Sequence, residues 1–118
     1  FKIEKNGVDL TDEFLGKEKL MMIVAYNLRN TETQGYKAIK LLTDNALESG
    51  YTVIGLTASG KDKQDELIEK FNLNFEFYQA DETGLKAIVR ANPGILVLNK
   101  GTITQKKHWN DAAEIELK

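Results

Sequence analysis

"DETGLKAIVRANPGILVLNKGTI", residues 81–103, contains Pro93, the single proline of this 118-residue chain. Before the proline, apolar residues recur at helical spacing, which predicts a helix over 81–90. After it, the aliphatic run 95–98 and the segment 102–109 are separated by a glycine-containing loop, which is typical of a β-hairpin. Proline disfavours the helical conformation for the residue before it. The simplest explanation for Pro93 is therefore that the helix ends there and a turn follows.

The remainder of the chain alternates between predicted strands and helices. The central run of "KLMMIVAYNL" (19–28) is continuously apolar, as in a strand covered on both faces, and the segment "YTVIGLTAS" (51–59) is predicted to be a second buried strand. The other predicted elements are a hairpin with an Asn6-Gly7 turn, helices over 31–50 and 62–71, an edge strand over 75–79 and a final short helix from Asn110. Two strand–helix–strand crossovers followed by a hairpin predict one α/β domain over residues 1–118, with a mixed sheet.

Two helix starts carry specific predictions. Thr31 and Gln34 have the spacing of a capping box for the first long helix, and Gly50 would end that helix. Asp62 is predicted to cap the second.

Composition excludes several classes of function. The chain has no cysteine, so thiol–disulfide exchange, thiol peroxidase chemistry and cysteine metal sites are excluded. A net charge of −2 with interspersed signs disfavours a nucleic-acid surface. No apolar run approaches the roughly 20 residues of a membrane helix, so this segment is not expected to insert into a bilayer itself.

The succession of elements around Pro93 resembles the thioredoxin fold. That resemblance implies a three-layer α/β/α sandwich with a central mixed sheet, and a cis-proline at Asn92-Pro93 facing the site. The corresponding redox loop reads Tyr26 to Thr31 and contains no cysteine. We therefore expect a vestigial groove formed by Asn27, Arg29, Asn30, Thr31, Asn92 and Pro93. Beside a helix N-terminus, Arg29 and Asn30 could hold an anion or a peptide carbonyl; the structural alternative is that they are loop and cap residues.

A narrower resemblance covers nearly the whole chain. The segments "GVDLTDEFL", "IVAYNL", "FEFYQADETGLKAIVRANPG" and "LVLNKGTI" resemble the thioredoxin-like (TlpA-like) domain at the C-terminus of DoxX-family membrane proteins of Bacteroidetes-type bacteria. This implies attachment to a membrane, with transmembrane helices before Phe1 and the domain in the periplasm or, alternatively, the cytoplasm. The implied partners are the membrane portion of the same polypeptide or another protein, and no cofactor is expected.

The other motifs are weaker. The segment 55–62 approaches a P-loop, but Asp62 replaces the Ser/Thr that would bind magnesium, and Gly55 lies too deep in an apolar strand to begin a loop. The single histidine, His108, excludes a multi-histidine metal site. Three hypotheses remain: a non-catalytic binding or positioning module, a non-thiol enzyme or an anion- or nucleotide-binding domain using Arg29 or Lys61, and a purely structural domain.

Overall fold

The structure, a computed structural model, describes residues 2–118. Its strands are β1 (Glu4–Lys5), β2 (Val8–Asp9), β3 (Leu20–Val24), β4 (Thr52–Thr57), β5 (Glu76–Gln79), β6 (Gly94–Asn99) and β7 (Thr102–His108). Its α-helices are α1 (Thr11–Leu15), α2 (Tyr36–Glu48), α3 (Lys61–Phe71) and α4 (Glu82–Ile88), and 3₁₀ helices cover Thr33–Gly35 and Trp109–Glu114.

The strands form one mixed sheet in the order β2-β1-β5-β4-β3-β6-β7. Strands β3, β4 and β5 are parallel, because α2 and α3 return the chain to the same end of the sheet. The hairpin β6–β7 is antiparallel and adds to the free side of β3. The predicted central mixed sheet is therefore confirmed.

Apolar side chains pack on both faces of this sheet. In β3, Met21 and Ile23 face the cluster covered by α2 and α3, whereas Met22 and Val24 face the cluster covered by α1 and α4. Every residue of β3 is buried, which explains why the strand is apolar without alternation. Helices on both faces of one sheet give the predicted three layers.

Pro93 lies directly before β6, and the Asn92–Pro93 peptide bond is cis, as the resemblance implied. The neighbouring Gly94 pairs with Val24 at the end of β3. A Cβ on Gly94 would come within 3.0 Å of the Val89 Cβ. The proline is thus packed between the end of α4 and the end of the central strand β3.

The prediction that residues 75–79 form an edge strand was wrong. Strand β5 lies inside the sheet order, because the N-terminal hairpin adds to its outer side. This addition is short, since β1 pairs with β5 only at Glu4 and Gln79. The sequence of β5 alternates because Phe75 and Phe77 point to the covered face of the sheet while Glu76 points to the other face and is exposed; this alternation does not depend on whether a strand pairs with its outer side.

Both predicted caps also differ from the structure, although the helices themselves form. The Thr31 hydroxyl bonds elsewhere, and the side chain of Glu32 instead accepts the Gln34 N–H at 3.4 Å. Helix α3 begins after Gly60 without a side-chain cap, which leaves Asp62 in its first turn. There its carboxylate still lies near the positive end of the helix dipole.

Among residues 2–118, no helix is both long enough and apolar enough to cross a membrane.

Candidate functional site

The loop between β3 and α2 is the part of the chain that lies beside Pro93. The side chain of Asn92 donates from Nδ2 to the carbonyl oxygen of Asn27 at 2.7 Å. The carbonyl oxygen of Asn92 accepts the Glu32 N–H, also at 2.7 Å. We call this arrangement the Asn92 clamp; it joins both ends of the loop to the residue that precedes the cis-proline.

A buried pair of hydroxyl groups extends the clamp into α2. Thr31 Oγ1 donates to the carbonyl oxygen of Asn92 at 3.2 Å, and Thr31 Oγ1 lies 2.9 Å from the Tyr36 hydroxyl. A threonine hydroxyl has a single proton, so Tyr36 is the donor in the second bond. Burial raises the pKa of Tyr36 well above its usual value, while the Thr31 hydrogen bond opposes that shift in part. Tyr36 therefore stays protonated and serves as a permanent donor.

The outer side of the loop is held by the turn that follows β4. The Leu28 N–H donates to Ser59 Oγ at 2.9 Å, and the Ala58 N–H donates to the Tyr26 carbonyl oxygen at 3.2 Å. Within the loop, Asn27 Oδ1 accepts the Arg29 N–H at 2.9 Å. These bonds fix the loop backbone on the side opposite the clamp.

The six residues of the predicted groove therefore separate into two groups. The structure brings together Asn27, Thr31 and Asn92, with Pro93 buried beside them. Arg29 and Asn30 are exposed on the outer surface of the loop.

Tyr36 and Ser59 complete this arrangement, and the sequence analysis did not assign them to it. Helical periodicity over 31–50 can identify Tyr36 as a buried position but cannot show where its hydroxyl group points. Ser59 is the last residue of the predicted strand 51–59, whereas the structure ends β4 at Thr57, and no sequence pattern names its partner across 31 positions.

One acceptor in the clamp lacks a partner. Asn92 Oδ1 is buried, and no group among residues 2–118 donates to it. If Oδ1 and Nδ2 of Asn92 exchanged places, Oδ1 would face the Asn27 carbonyl oxygen, and two acceptors cannot bond to each other. The hydrogen bond from Nδ2 to the Asn27 carbonyl oxygen therefore fixes the orientation of the side-chain amide. An unsatisfied buried acceptor costs about 1–3 kcal/mol, which the clamp's other bonds offset.

Arg29 lines a shallow cavity of about 200 Å³ between the loop and α3. Lys63 and Lys70 line the same cavity, together with Glu66, which lies 3.6 Å from Lys63. Neither Arg29 nor Lys70 forms an ion pair within the part of the chain that the structure describes. The lining of the cavity thus has an excess of positive charge, contributed by both the loop and α3.

The structure offers little support for chemistry at the weaker motifs. Gly55 lies within β4, and a Cβ there would come within 2.4 Å of Phe77 Cδ1, so this glycine makes room for a neighbouring ring. Lys61 is exposed and paired with Asp65 at 3.1 Å. His108 is exposed and accepts the Asn110 N–H at 3.0 Å through Nδ1. No group of three or more His, Asp or Glu side chains within residues 2–118 is arranged to hold a metal ion.

The sheet order, the crossovers and the cis-proline together define a thioredoxin-like fold. Solved structures with this architecture include a thiol-disulfide oxidoreductase from Bacteroides fragilis, which has a TM-score of 0.70 and 13% identity and matches 97% of this chain and 91% of its own. A thioredoxin-like protein from Aeropyrum pernix has a TM-score of 0.72 and 12% identity, over 97% of this chain and 84% of its own.

Reduced Prx3 from Vibrio vulnificus, solved in complex with hydrogen peroxide, has a TM-score of 0.66 and 10% identity over 90% of this chain and 80% of its own. At these identities the likeness concerns the fold. No protein family and no curated protein matches this sequence. The fold is thus shared with a thiol-disulfide oxidoreductase, whereas this chain contains no thiol.

Proposed function

We propose that this chain is a non-catalytic thioredoxin-like domain that binds or positions a protein partner. One observation carries the proposal. The loop that would hold redox cysteines in this fold contains none, and the Asn92 clamp ties it to the residue before the cis-proline. A redox site needs an accessible thiolate beside the proline. Here the Asn92 side chain instead donates to the Asn27 carbonyl oxygen, and the Thr31 hydroxyl bonds to the Asn92 carbonyl oxygen and to the Tyr36 hydroxyl.

The proposal extends to the setting of the domain. The segments resembling the DoxX-family C-terminal domain support attachment to a membrane protein, with the domain in the periplasm. In that setting the partner is either the membrane portion of the same polypeptide or a separate protein. A domain that keeps the thioredoxin-like fold but has no thiols can still use its surface to bind a partner, although it cannot carry out thiol chemistry.

Deletion in native cells tests this function. Removing the segment that encodes residues 1–118 should leave the remaining protein at normal abundance while its association with partners, measured by co-purification, is lost. Degradation of the remaining protein would instead indicate a purely structural domain. Unchanged abundance together with unchanged association would contradict the proposal.

The cavity beside Arg29 supports a second candidate, the binding of an anion. The Glu32 carboxylate already occupies the helix N-terminus, so an anion would contact Arg29 and Lys70 on the α3 side instead. Titration calorimetry with inorganic phosphate should detect binding that Arg29→Ala abolishes and Arg90→Ala, a matched change at another exposed arginine, preserves. Absence of heat with the unaltered protein would contradict this candidate.

A further inference from the structure

His108 forms the joint between β7 and the final 3₁₀ helix. Its Nδ1 accepts the Asn110 N–H at 3.0 Å, which is the side-chain hydrogen bond that begins this helix. An imidazole nitrogen accepts a hydrogen bond only when it carries no proton, so the bond is made by the neutral ring with its proton on Nε2. In the protonated ring both nitrogens are donors, and Nδ1–H would face the Asn110 N–H. The joint therefore exists in only one charge state of His108.

The joint lies beside the loop that connects β3 and α2. His108 pairs with Gly94, the residue after the cis-proline, across the hairpin of β6 and β7. The next residue, Trp109, packs its ring on Gly35 so closely that a Cβ on Gly35 would lie 2.8 Å from the ring. Gly35 directly precedes Tyr36, whose hydroxyl belongs to the buried pair described above. A change at His108 can thus reach the start of α2 through one packed side chain.

The chain beyond the joint is held by other hydrogen bonds. The Gln105 side chain donates to the carbonyl oxygen of Glu116 and accepts the Glu116 N–H, each at 2.8 Å. The Lys118 N–H donates to the Tyr51 hydroxyl at 3.0 Å. Loss of the joint should therefore alter Trp109 and the first turn of the final helix, while the last residues stay in place.

His108 is the group at the joint that is suited to change charge near neutral pH. Histidine is the side chain that ordinarily titrates between pH 5 and 8, and the chain has a single histidine. Strand β6 contains no charged residue, and the 3₁₀ helix Thr33–Gly35, on which Trp109 packs, contains none either, although Glu32 caps it. The other titratable residues on the surrounding elements are Lys106, Lys107, Asp111, Glu114, Tyr36 and Lys37. None of these is a histidine, so a response of this region between pH 5 and 8 is assigned to His108.

We propose that His108 is a pH-sensitive switch that sets how tightly Trp109 packs beside the start of α2. The neutral ring accepts the Asn110 N–H and holds Trp109 on Gly35. Protonation in mildly acidic solution removes the acceptor, and the exposed His108 ring and the Asn110 amide then bond to water. The stabilisation from the joint is present at higher pH and is lost as the pH falls through the titration of His108. This response does not depend on whether the domain binds a partner.

Two substitutions at one position separate the hydrogen bond from the charge. His108→Asn supplies an acceptor that does not titrate, because asparagine is among the side chains preferred at helix starts. His108→Ala removes both the acceptor and the charge. NMR spectra recorded between pH 8 and pH 5 follow the His108 ring and the Gly35 amide, and circular dichroism verifies that both variants fold.

In the unaltered protein, the Gly35 amide signal should move together with the His108 ring as the pH falls, while the signals of the Gln105 side-chain amide stay in place. In His108→Asn the Gly35 signal should keep its pH 8 position throughout. In His108→Ala it should lie near the acidic position at every pH. Between pH 8 and pH 5, the urea midpoint of the unaltered protein should fall relative to that of His108→Asn by roughly 0.5 M.

Two outcomes would overturn the inference. One is that the His108 ring titrates while the Gly35 amide signal of the unaltered protein does not move. The other is that His108→Asn shows the same pH response at Gly35 as the unaltered protein, which would assign the response to another group. If neither variant folds, the first comparison decides alone, because it needs only the unaltered protein.

Discussion

Replacing Thr31 with valine should destabilise the protein more than an isosteric change normally does. The substitution keeps the shape of the side chain, which is 8% exposed, and removes the hydroxyl between Tyr36 and Asn92. Loss of the bond to the Asn92 carbonyl costs about 1 kcal/mol, since that oxygen retains the Glu32 N–H. The Tyr36 hydroxyl is left without its acceptor in the interior, which costs a further 1–3 kcal/mol or so. The expected loss is therefore about 2–4 kcal/mol.

A double-mutant cycle separates this effect from general disruption. Tyr36→Phe alone leaves Thr31 still donating to Asn92 and should cost about 1 kcal/mol. The double variant leaves no unpaired hydroxyl, so its cost should be about 2 kcal/mol, less than the sum of the single changes. Equilibrium urea unfolding, followed by fluorescence of the chain's single tryptophan, measures all four proteins.

Thr43→Val is the matched control, because Thr43 is also buried (0% exposed) but bonds only to the Lys40 carbonyl of its own helix at 3.2 Å. It should cost less than about 1 kcal/mol. The reasoning is refuted if Thr31→Val costs no more than Thr43→Val, or if the cycle is additive.

Three further predictions concern other parts of the fold. Gly55→Ala would place a Cβ 2.4 Å from Phe77 Cδ1 and should lower the free energy of unfolding, measured in urea, by about 1–3 kcal/mol. Combining it with Phe77→Leu should offset part of that loss, because the smaller side chain makes room for the Cβ. If the effects of the two substitutions on stability are fully additive, the proposed clash is contradicted. Gly35→Ala would bring a Cβ within 2.8 Å of the Trp109 ring and should move its fluorescence emission to longer wavelength, whereas an unchanged spectrum would count against this packing. Lys5 donates to Glu76 at 2.6 Å and holds the pKa of the Glu76 carboxyl below its usual value. The pair therefore stabilises the folded protein fully above the pKa that Glu76 has in the unfolded chain. This stabilisation is lost as the pH falls through the pKa that Glu76 has in the folded protein. The difference in urea midpoint between the unaltered protein and Glu76→Gln should therefore be small at neutral pH, since Glu76 is largely exposed, and should vanish in acid; a difference that grows in acid would contradict this assignment.

The features that the sequence predicted are those that depend on local pattern. The apolar run 20–24 predicted a covered strand because a strand buried on both faces needs no polar positions. Asp81 was predicted at the start of a helix, and its carboxylate accepts the Gly84 N–H at 3.1 Å. The cis bond at Pro93 followed from the resemblance and not from base rates, which favour trans.

The features that the sequence analysis missed depend on partners far along the chain. Thr31 has the spacing of a capping residue, yet its hydroxyl bonds to Asn92, 61 positions away. The alternation in β5 cannot reveal that a two-residue strand from the N-terminus will lie beside it. Nor can spacing show that Arg29 is exposed while the Asn27 carbonyl oxygen bonds to Asn92, because both belong to one irregular loop.

The most direct test of the central claim, a non-catalytic domain attached to a membrane protein, is an immunoblot of fractionated native cells with an antibody against this domain. The account predicts a membrane-bound band well above the 13.3 kDa of this chain. A soluble band at 13.3 kDa would contradict it.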